Sequence, residues 1–191
     1  MQISGFKVGE PWWNRAALAG LAGGTAMALY QMIISAAMGH GLWRPLNLIG
    51  GVIPYFRPPA PGLAAPGFWP GTTVGAALHL MMSMGWGLLY GVMVAAIAAY
   101  FAPPIARSWF FGLFVGLGWG VVSYVAMGMI VGPALDPALN WVDGYPFFVA
   151  HVVFGLVTAL TFTALVRQPR VTVTFAPDAA AVERTPSGRG R

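Results

Sequence analysis

The stretch VGAALHLMMSMGWGLLYGVMVAAIAAYF, residues 74–101, decides the fold. It contains no Asp, Glu, Lys or Arg. A helix rises 1.5 Å per residue, so this run is about 40 Å long, more than the roughly 30 Å hydrocarbon core of a bilayer. Inside lipid the backbone must satisfy its own hydrogen bonds, which leaves helix as the conformation of such a run.

Three further runs have the same character: residues 16–38, 108–131 and 147–166, again without a formal charge. The sequence therefore predicts an all-α polytopic membrane protein, a four-transmembrane-helix bundle over 16–166. The composition agrees. Of 191 residues 58% are apolar and 8% charged, against about 25% charged in soluble domains. So few charges cannot coat a surface in water, and the expected solvent is the lipid bilayer. The net charge of +5 does not indicate nucleic acid, because the basic residues flank apolar runs and form no stripe. The absence of cysteine excludes disulfides, thiolate metal sites, c-type haem attachment and iron–sulfur clusters.

Lys7 and Arg15 precede the first run as they would a signal peptide. A signal h-region spans about 7–15 residues, whereas this run continues past Tyr30 to Met38, so it reads as a retained span. Orientation follows from the Lys/Arg bias. Lys7, Arg15, Arg107 and the five arginines from Arg167 to Arg191 lie on one side; Arg44 and Arg57 lie on the other. This places residues 1–15, the Pro103-Pro104 turn and the 167–191 tail in the cytoplasm, with the Ala-, Pro-, Ser- and Gly-rich tail expected to be disordered. Aromatics at the span ends, such as Trp12, Trp69, Trp109 and Tyr145, suit the interfacial belt. The outer loop, 41–73, holds seven prolines, which are expected to block regular helix there. Its apolar part, Leu46 to Phe56, reads either as a cap over the helix ends or as a lid over a site.

The two halves resemble each other. At an offset of 92, Arg15 matches Arg107, Gly20 matches Gly112, and Gly24 matches Gly116. At an offset of 72, His79 matches His151 and Leu88 matches Leu160. The reading is two similar helical hairpins in the same orientation, related by an axis along the membrane normal. Small residues recur every fourth position along each span, for example Gly112, Gly116 and Gly120. Such rows let helix backbones approach closely. His79 and His151 fall within these rows, as does Tyr124, and His40 ends the first.

Ionisable groups inside a membrane are costly and point to function. His79 and His151, each about five residues inside its span, are the candidate ligand pair, with Tyr124 and Met32 as neighbours and His40 nearer the outer surface. Neutral imidazoles from two helices suit a b-type haem, and Met81, Met82 and Met84 around His79 suit copper. The plainer alternative is that both histidines are structural, bonded to hydroxyls or backbone carbonyls.

No intramembrane carboxylate, HExxH, GxSxG or phosphate-binding loop is present. The motifs Gly20-x-x-Gly23-Gly24-Thr25-Ala26-Met27, Pro45-Leu46-Asn47-Leu48-Ile49-Gly50 and Ala77-Leu78-His79-Leu80 resemble those of small four-span bacterial inner-membrane proteins. That resemblance covers the four spans and implies an inner-membrane location, without an activity. Three roles follow as expectations: a non-enzymatic accessory subunit of a larger membrane complex or homo-oligomer; a haem- or copper-binding electron-transfer protein; a channel or carrier for a neutral solute.

Overall fold

The computed structural model describes residues 12–57, 69–101, 108–135 and 144–167. These residues are helical, with connecting turns and no strand among them. In chain order the helices are α1 (Trp12–Ala37), α2 (Arg44–Gly50), α3 (Trp69–Phe101), α4 (Trp109–Tyr124), α5 (Gly132–Leu135) and α6 (Gly144–Arg167). A π-helical segment, Val125–Val131, joins α4 to α5. Four helices are long and apolar enough to cross a membrane: Trp12–Ala37, Trp69–Tyr100, Trp109–Leu135 and Gly144–Arg167. The Pro103-Pro104 turn, Asp136, Asp143 and the tail lie outside the described residues.

The four long helices form a ring. α1 packs against α3 and α6, and α6 packs against α4. In lipid no hydrophobic effect pulls helices together, so they associate by close packing. The glycines supply it. A Cβ on Gly116 would stand 2.8 Å from the Gly155 carbonyl oxygen, and one on Gly120 2.6 Å from that of His151. Both are closer than real Cβ atoms come, so only glycine permits this approach. The fourth side of the ring is closed by side chains instead: Trp119 of α4 lies edge-on to Trp86 and Tyr90 of α3, with centroids 5.3 and 5.9 Å apart. Tyr90 also meets Phe162 across the bundle at 5.7 Å. At the end away from α2, Arg167 lies over the Trp109 ring at 5.3 Å, tying α6 to α4.

Gly24 packs on His79 and Ser83 of α3, and Gly120 packs on His151 of α6. With His79 and His151 in equivalent places, Gly24 corresponds to Gly120, not to Gly116. Matching the helices by these contacts gives a spacing of 96 residues between α1 and α4, one helical turn from the 92 read in the sequence. A helix presents the same face after about one turn, so an apolar, glycine-rich pattern fits either register.

The loop expectation also changes. Prolines do not keep 41–57 from forming helix: Pro45 sits in the first turn of α2, where its missing N–H costs nothing. α1 ends in a Schellman turn at Gly39, whose φ is 76°. Its bonds run from the His40 N–H to the Ser35 carbonyl and from the Gly39 N–H to that of Ala36. α2 then folds back onto the start of α3. Thr72 donates to Asn47 Oδ1 at 2.6 Å, and Gly75 leaves room for the Leu46 carbonyl. Pro58, Pro59, Pro61 and Pro66 lie outside the described residues.

Candidate functional site

A cavity of about 170 Å³ lies between the four helices at the α2 end. Each long helix contributes polar groups to it: Gln31 and Ser35 from α1, His79 and Ser83 from α3, Ser123 from α4, and His151 from α6. The remaining wall is mostly apolar, with Met27, Met82 and Met127 beside the rings of Trp86, Phe147 and Phe154. Pro45, Leu48 and Ile49 of α2 form its cover. The two readings of the Leu46 to Phe56 stretch thus meet: α2 caps the helix ends and, in doing so, walls a cavity.

The structure brings His79 and His151 to this one cavity. Both are buried, at 5% and 3% exposure. His79 Nε2 is 2.9 Å from the Gly24 carbonyl oxygen on α1. His151 Nδ1 is 2.9 Å from the Phe147 carbonyl oxygen, one turn earlier on its own helix. A carbonyl only accepts, so each named nitrogen carries the proton. In the neutral ring the other nitrogen is then an acceptor: Nδ1 of His79 and Nε2 of His151. The buried polar side-chain atoms without partners among the described residues are Asn47 Nδ2, Trp119 Nε1 and Thr158 Oγ1. The two acceptor nitrogens are not among them, and both rings line the cavity.

α3 begins at Trp69 and α6 at Gly144, so His79 lies about 15 Å and His151 about 10 Å from the helix start at 1.5 Å per residue. Tyr124 stands edge-on to His151 with centroids 5.8 Å apart, and Phe147 packs on the same imidazole at 4.4 Å. Met32 is half-buried and does not line the cavity; Met27 does. His40 sits at the cavity edge, where its Nδ1 accepts from Arg44 Nη1 at 3.0 Å.

Two features were not found from the sequence. One is the π-helical segment, which supplies Met127 and Gly128 to the cavity wall. Its last bond runs from the Gly132 N–H to the Met127 carbonyl, five residues back. Pro133 follows; it has no N–H to give Met129 and its ring crowds that carbonyl, so the ladder widens just before it. Pro133 was the available signal. The other is the Gly24 carbonyl as the anchor of His79, a contact only the tertiary packing creates.

The cavity is comparable to the roughly 150 Å³ engineered cavity that takes up benzene. It suits one ring, a short chain or an ion, and a haem macrocycle would require the helices to part. No group of three His, Cys, Asp or Glu side chains able to hold a metal ion occurs among the described residues. Comparisons with protein-family models, curated proteins and solved structures gave no match.

Proposed function

We propose that the chain is a non-enzymatic integral protein of the bacterial inner membrane that holds a small uncharged ligand in the cavity between its helices. It does so either alone or as an accessory subunit of a larger membrane complex. The observation behind this reading is the pair of buried imidazoles, His79 and His151, each bonded to a backbone carbonyl through one nitrogen and both lining an apolar cavity. Polar groups set in an apolar pocket are the usual form of a small-molecule site. The cation bias puts this cavity in the outer half of the bilayer, with both termini cytoplasmic. Two similar hairpins, matched at 96 and 72, account for one histidine on each second helix.

Ligand-observed NMR on the full chain in lipid nanodiscs tests this reading, using benzene and toluene as apolar probes. Saturable binding that is lost when Met82→Trp fills the cavity is expected. Absence of binding by either probe contradicts it.

One observation favours a second reading, a copper(I) site. Metal-binding histidines ordinarily donate their other N–H to a carbonyl or carboxylate, as both histidines do, and Met27, Met82 and Met127 offer soft thioethers in the same cavity. Elemental analysis of the purified protein and titration with silver(I) test it; no stoichiometric uptake counts against it.

A further inference from the structure

We infer that the cavity recognises a hydroxyl-bearing aromatic ring, of the class of a hydroquinone headgroup, through the acceptor nitrogens of His79 and His151. This rests on the reading of the cavity as a small-ligand site and states what that ligand must carry.

The carbonyls of Gly24 and Phe147 take the N–H of His79 and of His151. What each ring offers the cavity is a lone pair, so the two nitrogens ask for donors. A ligand carrying only acceptors, such as a quinone carbonyl or an ether, would leave both lone pairs unsatisfied and set its own oxygens against them. A ligand with hydroxyl groups satisfies them. Leaving a buried acceptor without its donor is what makes such sites selective.

Shape supplies the second part. The volume of about 170 Å³ matches a single substituted ring. The walls are suited to one: Trp86, Phe147 and Phe154 offer faces and edges, and Met82 and Met127 place thioethers among them. Sulfur at a ring edge is a favourable contact. Among the described residues no carboxylate lines the cavity, and the cation that does, Arg44, is bonded to His40. The deep part of the site is therefore neutral, which suits an un-ionised phenol and not a phenolate. With two acceptors on two different helices, a ring bearing two hydroxyl groups uses both.

The test compares three small compounds on the same full-length protein in nanodiscs by isothermal titration: methylhydroquinone, its dimethyl ether and toluene. Methylhydroquinone is expected to bind about ten-fold or more tightly than the ether, and His79→Phe or His151→Phe to reduce that preference. The ether comparison uses the unaltered protein, so it stands even where a variant fails to fold. Equal affinity for methylhydroquinone and its ether overturns the inference. So does a preference that survives both substitutions in folded protein. If toluene binds while the hydroxyl preference is missing, the cavity is a ligand site and only this inference fails. If none of the three binds, the cavity reading itself is wrong and the inference falls with it.

Discussion

Gly20 of α1 and Gly87 of α3 meet backbone to backbone: a Cβ on Gly20 would stand 2.7 Å from the Gly87 Cα, and one on Gly87 2.5 Å from the Gly20 Cα. At this separation Cα–H groups reach carbonyl oxygens across the interface, and the Gly87 Cα faces the Ala16 carbonyl. Each such contact contributes about 0.5–1 kcal/mol. Gly20→Val or Gly87→Val forces the helices apart, and a loss of more than ~3 kcal/mol is expected, since overpacking that side chains alone absorb already costs about 1–3 kcal/mol. Gly85 and Gly118 have open space where a Cβ would go, so Gly85→Ala and Gly118→Ala should leave stability unchanged or slightly raised. Unfolding midpoints in mixed micelles would separate the two classes; equal effects of all four changes would refute the packing assignment.

The two buried histidines should differ in what they do for stability. His79 bonds to Gly24 on another helix, whereas His151 bonds within its own. Interhelical hydrogen bonds in membranes contribute about 0.6–2 kcal/mol. His79→Phe is therefore expected to destabilise the bundle by that order, and His151→Phe by less. Denaturant titration checks this, and a larger loss at residue 151 would count against it.

Two buried threonines make a similar contrast. Thr158 Oγ1 has no hydrogen-bond partner among the described residues and lies against Gly23. Thr158→Val removes an unpaired polar atom at constant shape and should be neutral or stabilising. Thr72 holds α2 to α3 through Asn47. Thr72→Val should cost about 1 kcal/mol and speed amide exchange over Arg44–Gly50 in deuterium-exchange mass spectrometry. Exchange there that matches the unaltered protein would show that α2 is held by other contacts.

Topology is checked by fusion. Green fluorescent protein joined after Arg191 should fluoresce, and alkaline phosphatase at the same point should be inactive. The opposite pair of results would invert the orientation drawn from the Lys/Arg bias.

Much of the fold was legible because lipid imposes a simple rule. A run such as 74–101 has neither charges nor backbone breakers enough to be read as anything but a spanning helix, and Trp69–Tyr100 is a helix long and apolar enough to be one. The candidate site was partly legible for a related reason: His79 and His151 are costly in lipid, so they stood out, and both line the one cavity. What failed depended on register and local backbone. Glycines every fourth residue fit a 92 or a 96 offset equally well, so the pattern alone leaves the register along the first span open. Pro45 was read as a breaker although a first-turn proline starts a helix as readily as later ones end it. The acceptor character of the two histidines could not be read at all, since it is set by the Gly24 and Phe147 carbonyls, whose positions depend on packing and on rotamer.

The account rests above all on four helices facing lipid around a shared interior. Because the chain has no cysteine, single cysteines carrying nitroxide labels can be placed at Ile33, Phe114 and Met129, which are 62%, 75% and 64% exposed. Power-saturation EPR in reconstituted bilayers should find all three labels accessible to oxygen and shielded from a water-soluble nickel chelate. Ready access of the nickel reagent to these sites would mean that water bathes those faces, and the membrane architecture would be wrong.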